Sequence, residues 1–349
     1  MKSRTYIATP PGATIKEQLA DRGMSQKEFA QRMDMSEKHI SRLINGEVQL
    51  TSDAAMRLEM VLGLPARFWN NLEAIYREKL QLVQAENEME EDIAIMKKFP
   101  YREMAKYGWV QDTNSSEEKV LALRKHFEVV RLSMLKTPLI PGIAYRRQSS
   151  SEKAECALLA WAQRAKLEAR QINTSAIDLQ RLETNIPEIR TMTSCDPAEF
   201  CPRLVGLLAK CGIALVFLPH IGGSFLHGAT FYDRNKIVVG LTVRGKDADK
   251  FWFSLFHELG HILKGHISNP EGTTDADEHE ADAYARQTLI PDVEFEHFAK
   301  TGQFTVTTMK EFAHREGIDV GILVGRLQKE GYIQYIWFNE LKTKYGLVY

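Results

Sequence analysis

The chain has 349 residues, room for two or three domains with cores of their own. At 44% apolar and 26% charged residues, with a formal charge of −1, it reads as a globular protein with no whole-chain attraction to nucleic acid or anionic membrane. The opening stretch MKSRTYIATPPGATIKEQL lacks the apolar core of a signal peptide, and no run approaches the roughly 20 apolar residues of a membrane span. Cys156, Cys195, Cys201 and Cys211 are too few and too scattered for a disulfide framework, and none forms a Cys-x-x-Cys pair. Reduced thiols and a cytoplasmic location are the expectation.

Residues 14–62 predict four or five short helices. Ser25-Gln-Lys-Glu28 has the form of a capping box, with Met24 and Phe29 placed as its hydrophobic staple. The helix it opens runs to about Met33. Asp34 then takes the turn, a position that favours a left-handed backbone, which aspartate tolerates. Ser36 caps the next helix, SEKHISRLING, whose inner face is Ile40, Leu43 and Ile44, and Ala30 is small where the two helices cross.

On these residues, Gln26 to Asn45 resembles the helix-turn-helix of phage-repressor-like proteins, and Ile7 to Arg77 is similar to the HigA-type antitoxin domain. The resemblance implies that Ser36, Glu37, Lys38, Ser41, Arg42 and Asn45 project into a major groove and that Gln26 meets a phosphate. One such domain reads one half-site, so the expected partner is a palindromic double-stranded operator bound by a homodimer, with a HigB-like toxin as a further partner. A plain helical bundle is the competing reading, since residues 1–80 carry 12 Lys and Arg against 10 Asp and Glu.

From Leu64-Pro65 to about Ile172 the pattern stays helical. NNLEAIYREKLQLVQAENEMEEDIAIMKKF is one long amphipathic helix, and its acidic run from Glu86 to Asp92 reads as a solvated face. Phe99-Pro100 breaks it, Thr113 to Glu117 opens another helix, and Leu135 to Ser151 reads as a linker. ECALLAWAQRAKLEARQI is again helical, and a polar segment follows to Pro187. Trp109, Trp161 and Phe127 read as core, and no chemical motif appears in this stretch.

A helix at Pro202 to Ala209 leads into GIALVFLP, an apolar run suited to a buried strand, and Asp233-Arg-Asn235 turns a hairpin between ATFY and KIVVGL. Next comes FWFSLFHELGHILKGH, residues 251–266. His257 and His261 lie four apart, so both imidazoles share one face of a helix and reach one metal ion, with Glu258 beside them as general base. Phe253, Phe256, Leu259, Ile262 and Leu263 supply apolar contacts, Asp249 is the candidate N-cap and Gly265 the terminator. A zinc ion held by two histidines needs a third protein ligand and an open position. Downstream, EHEADAYARQTLIP offers Glu278, with Asp282 one turn on to fix a histidine tautomer and Ala281, Ala285 and Leu289 on another face. Glu280 competes as ligand, though it points roughly 200° around the helix from Glu278. His227 is a candidate oxyanion donor, with Tyr284 a weaker one.

Residues 211–291 resemble the ImmA/IrrE family of gluzincin-type metallopeptidases. The resemblance implies a small sheet over two active-site helices, a Zn²⁺ cofactor held by His257, His261 and Glu278, and Glu258 as the catalytic glutamate. The whole chain is then α+β, mostly α: a helix-turn-helix bundle over residues 1–80, a helical linker region over 81–200, and a metallopeptidase domain with a helical tail over 201–349. The expected function is a DNA-binding regulator or antitoxin that cleaves a regulatory protein: a repressor, a toxin partner or itself. The alternative is a non-enzymatic antitoxin or repressor that binds metal or toxin without cleavage.

Overall fold

The computed structural model describes residues 1–136, 151–222, 228–242, 247–268 and 272–346, so the serine-rich linker expected at Leu135 to Ser151 lies almost wholly outside the described residues. The chain is mostly helical with one small sheet, and it forms two compact units, Met1–Ala94 and Ile95–Tyr349.

In the first unit, helices α1 (Gly12–Asp21), α2 (Gln26–Arg32), α3 (Glu37–Ile44), α4 (Ser52–Leu62) and most of α5 (Ala66–Met96) close over Ile15, Phe29, Ile40, Leu58 and Trp69. Ser25, Ser36 and Thr51 each accept a backbone N–H at a helix start, satisfying donors the first turn leaves open. The capping box at Ser25 forms only its first half: Glu28 turns away to bind the Arg32 guanidinium at 2.6 Å. Asp34 is left-handed, with φ of 52°, and the Arg57 guanidinium of α4 secures that turn by donating to the Met33 carbonyl at 3.0 Å. The acidic run on α5 is not a uniformly solvated face. Glu86 accepts from Ser3 and, at 2.7 Å, from the Thr5 hydroxyl, and Asp92 is fully buried.

The second unit adds α6 (Tyr101–Lys106), α7 (Ser116–Phe127), α8 (Glu152–Ala169), α9 (Leu179–Thr191) and α10 (Pro197–Ala209) before its sheet. From Leu179 on, the polar segment before Pro187 is helical. Leu182, Ile186 and Ile189 bury one face of α9, and the carbonyl that Pro187 leaves without a donor belongs to the exposed Glu183. The sheet has the order β1 (Ile213–Phe217), β3 (Lys236–Leu241), β2 (Gly228–Asp233), with β1 parallel and β2 antiparallel to β3. Ile213, Leu215, Ile237, Val239 and Leu241 face one core, and α8 covers the other side. A methyl group at Gly240 would fall 2.6 Å from the Trp161 ring of α8, which explains a glycine in a central strand. Helix α11 (Ala248–Leu263) packs against β2 and β3, and α12 (Asp275–Leu289) lies along α11. Helices α13 (Asp292–Lys300), α14 (Val306–Glu316) and α15 (Val320–Lys329) complete the core around Phe295, Phe312 and Leu323. The N-cap of α11 is Asp247. Asp249 instead sits inside the first turn, buried and paired with Lys342 at 2.8 Å.

Candidate functional sites

Helix α11 is fixed by burial on nearly every side. Trp252, Leu255, Phe256 and Leu259 are essentially without exposed surface. Helix α12 starts at a complete capping box, Thr274 with Asp277, and meets α11 through small residues. A methyl group at Gly260 would be 3.3 Å from the Ala281 backbone and 3.1 Å from the Tyr284 ring. That close approach brings Glu278 across to the two histidines.

His257, His261 and Glu278 converge. The Nε2 atoms of His257 and His261 are 3.0 Å apart, and each lies 3.4 Å from a Glu278 carboxylate oxygen. A tetrahedral ion with bonds of about 2.05 Å has ligand–ligand edges of about 3.3 Å. The donor set therefore fits a zinc-type ion in both chemistry and spacing, and it is the one such cluster among the described residues. The outer nitrogens are engaged as well: His257 Nδ1 donates to Asp282 Oδ1 at 2.8 Å, and His261 Nδ1 meets His266 Nδ1 at 3.0 Å. The Thr273 hydroxyl donates to Glu278 Oε1 at 2.7 Å.

The electrostatics suit a cation. Burial works against a charged His257, but its hydrogen bonds to Asp282 and Glu278 and the nearby Glu258 outweigh it, raising the imidazole to about 9. Burial likewise opposes ionisation of Glu278, yet His257, His261 and Thr273 hold it well below the usual carboxylate range. Asp282 is also lowered, its burial overcome by His257.

Glu258 is buried beside this cluster. Its Oε2 accepts from the Thr230 hydroxyl of β2 at 2.6 Å, and a methyl group at Gly228 would lie 2.8 Å from its Oε1. Two residues of β2 thus position the carboxylate under a strand whose outer edge pairs with no other strand among the described residues. Glu280 stands apart from the donors, bound to Lys264 at 3.1 Å and to His266 at 3.3 Å. Tyr284 lies against Gly260, and His227 falls outside the described residues.

In the first unit, Gln26 opens α2, and α3 carries Glu37, Lys38, Ser41 and Arg42, with Asn45 closing it. Ile40, Leu43 and Ile44 are buried, so Lys38, Arg42 and Asn45 centre the outward face. Ser36 is committed to capping through His39 N–H at 3.2 Å, and Arg42 lies 3.5 Å from Glu47.

Residues 15–69 match the family described as helix-turn-helix, and residues 222–328 match the IrrE N-terminal-like domain, a peptidase family. An uncharacterized HTH-type transcriptional regulator, YddM of Escherichia coli K12, is 36% identical over 63 residues, covering 18% of this chain and 67% of that one. The chain belongs to the helix-turn-helix family. Its second unit carries the IrrE N-terminal-like domain, which makes this helix-turn-helix protein a fusion to a metallopeptidase-type domain. Among solved structures, an addiction module antidote protein of the HigA family from Coxiella burnetii is 27% identical, covering 26% of this chain and 95% of that one, with a TM-score of 0.22. Among the described residues no helix is long and apolar enough to cross a membrane.

Sequence reasoning named the three converging residues and Asp282 but not Thr230, Thr273 or His266. Two of these are threonines in ordinary polar positions. His266 follows a glycine turn, beyond the helical spacing that singled out the other two histidines.

Proposed function

We propose that this protein is a DNA-binding regulator, acting as a homodimer on a palindromic operator, whose second unit is a zinc-dependent endopeptidase. Its substrate is a regulatory protein: a repressor, a toxin partner or the chain itself. The observation that carries the enzymatic half is the triangle of His257, His261 and Glu278 donor atoms with Glu258 on the same helix. Two imidazoles and one carboxylate at tetrahedral spacing favour zinc over magnesium or calcium, which prefer all-oxygen sites.

A bound zinc ion would supply Lewis acidity, lowering the pKa of a coordinated water and polarising a peptide carbonyl. The protein does the rest. An extended peptide pairs with the open edge of β2, which lays its backbone across Glu258. Glu258 accepts the proton of the attacking water and delivers it to the departing amine. Thr230 and Gly228 hold that carboxylate in place through the transfer. Asp282 keeps His257 in the tautomer that leaves Nε2 free to ligate.

The test is cleavage of a degenerate peptide mixture by zinc-loaded wild type and Glu258→Gln, read by mass spectrometry. New peptide termini with wild type alone support the reading. Zinc binding without cleavage in either would make the second unit a binding module. The regulatory half is tested by the mobility of the DNA upstream of the protein's own coding sequence, with and without the protein.

A further inference from the structure

Among the described residues, His266 is the one buried imidazole at the site that is not a candidate ligand. It lies past Gly265, a residue with φ of +77°, which ends the run of α11 and turns the chain back against the helix. Its two ring nitrogens face opposite chemistries. Nδ1 is 3.0 Å from His261 Nδ1, while Nε2 is 3.3 Å from Glu280 Oε2 and 3.5 Å from Asp277 Oδ1.

A neutral imidazole carries one ring hydrogen, and here its position is decided by what surrounds it. Carboxylates only accept, so His266 Nε2, which faces two of them, carries the hydrogen. His266 Nδ1 is then a bare acceptor. The one ring atom 3.0 Å away, His261 Nδ1, must donate to it. His261 therefore bears its hydrogen on Nδ1, and its Nε2 lone pair points to His257 and Glu278. Lys264 Nζ, 3.1 Å from Glu280 Oε1, fixes the far end of the chain and argues against a second metal there.

We infer that His266 is a positioning residue for the metal: through a Glu280–His266–His261 hydrogen-bond relay, with the Asp277 carboxylate 3.5 Å from the same ring nitrogen, it fixes the tautomer and ring angle in which His261 ligates. The two ligand histidines are thereby held by different means, His257 directly by a carboxylate and His261 through an intervening imidazole. The inference rests on the zinc reading above.

The experiment is zinc affinity of the full chain at one fixed pH, by competition with a chromophoric chelator. Outer hydrogen-bond partners of ligating histidines typically change metal affinity roughly 10–100-fold when removed. His266→Leu should weaken zinc binding by about that factor. His266→Gln, whose side-chain oxygen can accept from His261 Nδ1, should recover most of the loss. A purely structural role would lower the thermal stability of both metal-free variants and leave zinc affinity unmoved. Should His266→Leu fail to fold, Asp277→Asn combined with Glu280→Gln removes the charged end of the relay at a more exposed position and should also weaken zinc binding. Stoichiometric zinc in wild type with unchanged affinity in His266→Leu, or in the double variant, overturns the relay and leaves the metal site standing. No zinc in wild type overturns the metal site and the relay with it.

Discussion

His126 sits near the end of α7, buried, with its ring edge-on to Phe127 at 5.0 Å. Burial pushes it down to about 4 from its ordinary 6.5, opposed only in part by the Ala160 carbonyl. In the unfolded chain the same imidazole titrates near its ordinary value. Between the two values the unfolded state binds a proton that the folded state refuses, so stability is lost as pH falls through this window. From the two pKa values the loss at pH 4 is about 3 kcal/mol, against about 0.2 kcal/mol at pH 7. His126→Leu removes the titrating group while keeping an apolar side chain in the site. Denaturant unfolding of both proteins at fixed metal content, followed by tryptophan fluorescence between pH 7 and 4, gives the stability difference at each pH. Whatever its value at pH 7, that difference should move by about 3 kcal/mol in favour of the leucine variant at pH 4. Other titrating groups cancel in the comparison. A difference that stays flat, or moves the opposite way, refutes the account of a neutral buried histidine.

The elements most legible in the sequence were those whose signals are local. The caps at Ser25 and Ser36, the left-handed Asp34 and the apolar face of α3 all follow from near neighbours along the chain. So does the edge-strand hairpin, whose turn falls at Arg234, with φ of 58°. The spacing of His257, Glu258 and His261 could be read because a helix sets it. Signals that depended on distant partners were lost. Asp249 was drawn inward by Lys342, some ninety residues on, and Glu86 was claimed by Ser3 and Thr5, some eighty residues back. α9 was hidden because Pro187 and polar residues outweigh three buried aliphatics in a window read alone. The relay through His266 was invisible for the same reason: it forms only when α12 folds across α11.

Gly240→Ala forces a methyl group to 2.6 Å from Trp161 and should cost about 1–3 kcal/mol in denaturant unfolding, with Trp161→Phe restoring part of it as a double mutant. Arg42→Ala, on the outward face of α3, should weaken binding to the cognate operator by about 1–3 kcal/mol in a titration of labelled DNA while leaving the melting temperature of the first unit unchanged. Equal affinity in both proteins would remove α3 from the groove. Asp282→Ala deprives His257 Nδ1 of its acceptor at 2.8 Å and should weaken zinc binding roughly 10–100-fold by chelator competition.

The most direct test of the central claim is elemental analysis of protein purified without chelator or histidine tag, comparing wild type, Glu258→Gln and His261→Ala. The proposed ligand triangle predicts about one zinc per chain in wild type and in Glu258→Gln, since Glu258 is not one of its three donors, and little in His261→Ala. Wild type that holds no zinc, even after metal is added back, would contradict the metallopeptidase reading and leave a helix-turn-helix regulator carrying an inert second unit.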